Sequence, residues 1–319
     1  MTTRMTNFQW PRLRAVLFCL FLVSPLVAQQ SSGAALAAEQ QLQGAAKIAE
    51  PEKPAPPDPV AIIQRSVSRY QHNLDVARDY VFQKREVEQE LDKHGNLKNA
   101  HIRSYDILMV YGEPYEKLTA KDDKPLDAHD QEKEEKRLNE FYESKKKEHE
   151  SESASAKARE KREREERKLA SELPQAMDFK LIGEDRIDGQ PVYVITAEPK
   201  PGYKPSDMIA KLLTKLHGKI WITQADYQWA RMEVDLLDDF AVGLFLFKLH
   251  KGAHLEFEQT RINDEVWLPR RAAFNGAARI AVKNESARLE TTFSNYQKFK
   301  ANARIVGFSE APGAGTDQH

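Results

Sequence analysis

The sequence predicts a mainly β protein with helices: an antiparallel meander forming an incomplete barrel, with an N-terminal amphipathic helix and a long charged helical insertion. Three observations predict it. From Tyr80 onward, apolar or alternating stretches recur roughly every ten residues with turn signals between them, about 12 in all, the pattern of a meander that curls. Ahead of them, Ile62, Ile63, Val67, Tyr70 and Leu74 recur at helical spacing. Residues 127–172 are almost all Glu, Lys, Arg, Gln, Ser and Ala. No alternation of strands with helices appears, which excludes a doubly wound α/β enzyme.

Taken in chain order, Arg4, Arg12 and Arg14 precede an apolar run from Ala15 to Ala28, and Ala35-Leu36-Ala37 offers small residues for cleavage. This predicts a cleaved signal peptide over residues 1–37. The run is shorter than the roughly 20 residues that cross a bilayer. The single cysteine, Cys19, lies inside it, so cleavage would deliver a chain with no thiol to an oxidising compartment. Residues 38–57 are rich in Ala, Gln and Pro and bury too little apolar surface to offset chain entropy, so they read as a linker. The folded domain is placed at 58–304, with a tail at 305–319.

Asp58 before Pro59 is a helix start: a side-chain acceptor at the cap, then proline where a missing N–H costs nothing. Tyr80 to Leu91, a turn at Asp92 to Asn96, and Ala100 to Tyr111 form a long hairpin, followed by a short strand from Tyr115 to Thr119. The hairpin puts Ile102, Leu108 and Val110 on one side and Tyr105, Ile107, Met109 and Tyr111 on the other. The charged insertion at 127–172 interleaves opposite charges at i to i+3 and i+4, so it reads as helix touching the body at its two ends. Its aromatic pair, Phe141 and Tyr142, suggests a lid or partner-docking arm as the alternative. Phe179 to Ile187 and Pro191 to Ala197 flank Asp188-Gly189, a tight-turn pair. A short helix within Gly202 to Leu216 follows. Strands are then expected at Gly218 to Thr223, Trp229 to Leu237, Leu244 to His250, Leu255 to Ile262, Val266 to Phe274, Arg279 to Val282 and Ala287 to Tyr296.

Net charge is −1, which gives no electrostatic case for nucleic acid. No phosphate loop, nucleophile elbow, H-E-x-x-H or dinucleotide fingerprint occurs, so no enzyme activity and no cofactor are predicted. His250 and His254 with Glu256 and Glu258 are the best metal candidates, with His217 at a distance. Yet His254, Glu256 and Glu258 alternate with Leu255 and Phe257, which reads as a solvated strand face rather than a metal site. Glu233 and Asp235 alternate with Met232, Val234 and Leu236 in the same way. Asn284-Glu285-Ser286 matches a glycosylation acceptor by pattern only. More informative is the excess of large apolar residues on the late strands, with Leu244 to Phe247 apolar on both sides. They fill an ordinary core, or they line a hollow under a curved sheet with the 62–74 helix as partial cover.

The order of features resembles the LolA/LolB-type outer-membrane lipoprotein carriers. The likeness rests on Leu74, Val76, Tyr80 and Phe82 leading into the first strand, Gly218-Lys219-Ile220-Trp221-Ile222, Arg231-Met232-Glu233, and Val266-Trp267-Leu268-Pro269. It implies a periplasmic half-barrel that holds lipid or lipoprotein acyl chains in an apolar cavity, working with membrane-associated donor and acceptor proteins. Ile220, Ile222, Met232, Val234, Leu246, Phe257 and Trp267 are then the cavity lining. The charged insertion is longer than that family's helical excursion. A second expectation is therefore an envelope interaction or regulatory protein that docks a partner through the insertion; a third is a hydrolase of an envelope substrate.

Overall fold

The computed structural model describes residues 57–111, 113–151, 172–242, 247–280 and 283–298. The expected leader with Cys19, the tail and Leu246 lie outside the described residues, as does the linker up to residue 56.

The first helix, α1 (Pro59–Ala77), starts as its sequence dictates. Asp58 accepts from the Val60 N–H at 3.0 Å, and Pro59 occupies the first turn. Ile62, Ile63, Ser66 and Asn73 fall on one side and are buried. The helix ends at Arg78, and β1 (Tyr80–Leu91) begins at once. It is followed by β2 (Leu97–Val110), β3 (Glu113–Lys121), β4 (Lys124–Pro125) and the helix α2 (Ala128–Glu150). After a helical turn at 172–176 come β5 (Met177–Ile187), β6 (Gln190–Pro199), the short helix α3 (Met208–Leu213), β7 (Leu216–Thr223) and β8 (Trp229–Leu236). The chain closes with β9 (Phe240–Val242), β10 (Phe247–Leu249), β11 (His254–Ile262), β12 (Val266–Ile280) and β13 (Lys283–Lys298).

All pairings are antiparallel within one 13-stranded sheet, ordered β4-β3-β2-β1-β13-β12-β11-β8-β7-β6-β5, with β10 pairing β12 and β9 off this path. The sheet does not close into a barrel. Two meanders meet where β1 pairs with β13. The two ends of that path are β4 and β5, and the charged insertion is the connection between them.

Turn chemistry explains the register. Asp188 and Gly189 both take positive φ, 49° and 78°, as a two-residue hairpin turn demands. Asp122-Asp123 and Asn263-Asp264 do the same without glycine. The expected break between Phe274 and Arg279 is absent, because β12 runs straight through it. Gly276 there is not a turn residue. A Cβ at that position would meet Ala253 Cβ at 2.9 Å and Phe274 Cζ at 2.8 Å, so glycine admits a close crossing of the chain.

The insertion also departs from expectation. Helix α2 does not stand off the body: it lies along β3. Tyr115 donates to the buried Glu134 at 2.8 Å and accepts from Arg137 at 2.9 Å, while Arg137 also donates to the Glu116 carbonyl at 2.6 Å. Phe141 packs on Tyr115, and Tyr142 and His149 on Tyr111. The aromatic pair expected to serve a docking arm thus lies against the protein's own sheet. Among the described residues, no helix is long and apolar enough to cross a membrane.

Candidate ligand-binding face

Residues paired across antiparallel strands project to the same face, so the register can be followed from strand to strand. One row runs Ile195, Ile220, Met232, Phe257, Ala272, Thr291, Glu86, Arg103 from β6 to β2. The row beside it runs Ala197, Gly218, Val234, Leu255, Phe274, Leu289, Glu88, His101. A single face is therefore graded. It is bulky and apolar at one end, short-chained at Ala272 and Thr291, and charged at the other end.

At the apolar end α1 covers the sheet. Ile62 and Ile63 pack with Ile195 and Ile222, joined by Val67, Ile220 and Trp229. Polar stitches fix the helix: the Trp229 indole donates to Ser66 at 2.9 Å, and the Gln228 amide donates to the Arg69 carbonyl at 3.3 Å. Asn73 donates to the Trp267 carbonyl and accepts from its N–H, both at 2.6 Å. Near α3, Leu212 packs against a cluster of Leu236, Phe240, Phe247 and Phe274. Met232 and Val234 lie on β8, three strands in from the β5 end, stay partly exposed and join none of these clusters among the described residues.

The charged end is buried. Lys84, Glu86 and Glu88 are 7%, 4% and 6% exposed, which is unusual for such side chains unless they are paired. They form an alternating chain. Glu88 meets Arg103 at 2.9 Å, Arg103 meets Glu86 at 4.0 Å, Glu86 meets Lys84 at 3.6 Å, and Lys84 meets Glu116 at 2.6 Å. The Lys84 ammonium also sits 4.4 Å from the Tyr105 ring centroid. Sequence reading missed this end, because Lys84 to Glu90 is charged or polar at nearly every position. The one available signal was the hairpin register, which sets Lys84 beside Tyr105 and Phe82 beside Ile107.

Of the expected lining, Ile220, Ile222, Met232, Val234 and Phe257 do share this face, with Ile222 and Phe257 buried and the others partly exposed. Trp267 does not join them. Its ring packs with Val192, Val194, Trp221 and Ala230, the cluster formed on the other face of β6 and β7, and its indole donates to Asp226 at 3.0 Å.

His254 and Glu256 lie on the opposite face from Leu255 and Phe257. Glu256 pairs with Arg271 at 2.7 Å, and Arg270 binds Glu258 at 3.0 Å. Among the described residues, no group of three or more His, Cys, Asp or Glu is placed to hold a metal. Burial works against charging the His254 ring, but Asp235 at 2.7 Å and Glu256 at 3.4 Å outweigh it and hold its pKa above the usual value. A raised folded pKa contributes stability that is full below the unfolded value of about 6.5 and is lost as pH rises through the folded value. His254→Gln is therefore expected to melt below the parent near pH 5, with the gap closing by about pH 9. Melting curves at both pH values check this; a gap that stays constant contradicts it.

No protein-family model matches the chain, and no curated protein matches it. Solved structures similar to it include a DUF1329 family protein from Desulfovibrio piger, with 12% identity and TM-score 0.29 over 78% of this chain and 96% of that one. A LolA superfamily protein from Nitrosomonas europaea gives 9% identity and TM-score 0.25 over 76% and 93%. The MucA/MucB complex of Pseudomonas aeruginosa gives 10% identity and TM-score 0.22 over 77% and 100%. Likenesses this remote assign neither family nor function.

Proposed function

We propose that this chain is an exported envelope protein that binds and carries lipid or lipoprotein acyl chains against the graded face, without catalysis or cofactor. The observation that carries the proposal is the band at Met232 and Val234: apolar, partly exposed and, among the described residues, outside the clusters that α1 and α3 form with the sheet. An acyl chain laid there leaves water at about 0.8 kcal/mol per methylene and needs no specific polar partner. The export signal at residues 1–37 supports a periplasmic site of action.

The test uses a fluorescent fatty acid. Met232→Glu and Val234→Glu place a charge on partly exposed positions, so the fold is expected to survive while affinity falls about tenfold or more, since a buried unpaired carboxylate costs well over 1.4 kcal/mol. Circular dichroism checks the fold, and unchanged uptake by both variants refutes the proposal. Phe257 is a poorer probe, because it is 4% exposed and a charge there tests the core instead.

A further inference from the structure

We propose that Tyr111 and Tyr142 form a site of oxidative cross-linking, where hydrogen peroxide acting through a peroxidase joins the two rings into a dityrosine that staples α2 to the sheet. The two side chains come from separate elements. Tyr111 follows the last residue of β2, and Tyr142 lies in α2 beyond the Arg137 that binds the β3 backbone. Their hydroxyls share a hydrogen bond at 3.1 Å, and the ring centroids are 5.4 Å apart with the planes at 47°. The ring carbons ortho to the hydroxyls, which carry much of the unpaired electron in a tyrosyl radical, therefore lie beside that contact. Both rings are also open to a reagent, at 40% and 39% exposed, whereas Tyr80, Tyr105 and Tyr115 are buried. Tyr111 holds φ at 51°, a left-handed conformation that a bulky residue rarely adopts, so the surrounding contacts hold it there at a conformational cost.

Phenol coupling is the covalent tie open to this chain. Its single cysteine, Cys19, has no second thiol with which to close an internal disulfide, the usual staple of an oxidising compartment. In the reaction each phenol gives one electron and its hydroxyl proton to the oxidant, and one hydrogen peroxide is reduced to two waters per pair. The two ortho carbons then form one C–C bond. The hydrogens displaced from them move to the oxygens, which restores both phenols, so the product has lost two hydrogen atoms in all. The bond closes a loop across 31 positions, from the end of β2 to α2, and restricts the unfolded chain as a disulfide does.

The experiment oxidises the purified full chain with hydrogen peroxide and a haem peroxidase, isolates the monomer and maps it by mass spectrometry after trypsin cleavage. Peptide 104–117, which carries Tyr111, is expected to be joined to 138–145, whose sole tyrosine is Tyr142, at the summed mass less two hydrogens. Fragmentation is expected to place the bond at Tyr111 rather than at the buried Tyr105 or Tyr115 of the same peptide. The link is expected at about ten times the abundance of any other tyrosine pair, because rings held in contact react as if at very high local concentration. Its yield is expected to stay constant on dilution. Tyr111→Phe and Tyr142→Phe keep the rings at exposed positions, so circular dichroism is expected to be unchanged while each abolishes the link; either variant alone decides the point. A joined peptide that is absent from the monomer, found only in covalent dimers, no more abundant than other tyrosine pairs, or still formed in either variant overturns the proposal.

Discussion

Asn73→Leu is expected to destabilise the protein by about 2 to 5 kcal/mol and to lower its melting temperature by roughly 6 to 15 °C. The substitution keeps the number and branching of side-chain heavy atoms at a position that is 4% exposed, and leucine is the better helix former, so the helix itself is not weakened. It removes the amide that serves both backbone groups of the buried Trp267, a pair of bonds like those a neighbouring strand would make. Each buried group left without a partner costs about 1 to 3 kcal/mol. Leucine at the adjacent exposed His72 is the control, expected to change stability by less than about 0.5 kcal/mol. Hydrogen exchange at the Trp267 amide is expected to accelerate in Asn73→Leu alone. Equal melting temperatures in the two variants would mean that α1 is held by its apolar face only.

That contact also marks what sequence could and could not reveal. Local chemistry was legible: Asp58-Pro59 starts α1, Asp188-Gly189 turns the β5–β6 hairpin, and alternation sorts Ile220 and Met232 onto one face. Non-local pairing was not. Nothing in residues 80–91 indicates that their neighbour is β13, some 200 positions away, because any alternating strand satisfies the hydrogen bonds of any other. Nor did composition reveal that the insertion links the sheet's two edges, or that Arg137 turns inward to the β3 backbone while the helix stays charged overall.

The site divides along the same line. Met232 and Val234 were readable because an apolar residue between Arg231, Glu233 and Asp235 has to face away from them. Trp267 was misplaced because its ring is taken up by Val192, Val194, Trp221 and Ala230, a cluster assembled from three other strands that alternation within β12 alone does not reveal. The buried charges were invisible because a carboxylate in a strand ordinarily signals solvent, and only the partners on β2 and β3 say otherwise.

Lys84→Met is expected to cost about 3 to 5 kcal/mol, the penalty for removing one partner of a buried pair. The lysine is 7% exposed and stands between Glu86 and Glu116, so its loss leaves carboxylates facing each other across an apolar side chain. Lys84→Met combined with Glu86→Gln is expected to be more stable than Lys84→Met alone by about 1 to 3 kcal/mol, because the second change removes a buried carboxylate that the first deprived of its lysine. Urea unfolding midpoints of the parent, both single variants and the double variant provide the cycle that isolates this coupling. Independent, additive losses would show that the residues do not act as a chain. A buried ion chain contributes little net stability over apolar residues of the same shape, so the fold alone gives no reason to keep charge at Lys84, Glu86 and Glu88 where Phe257 and Met232 occupy the same face.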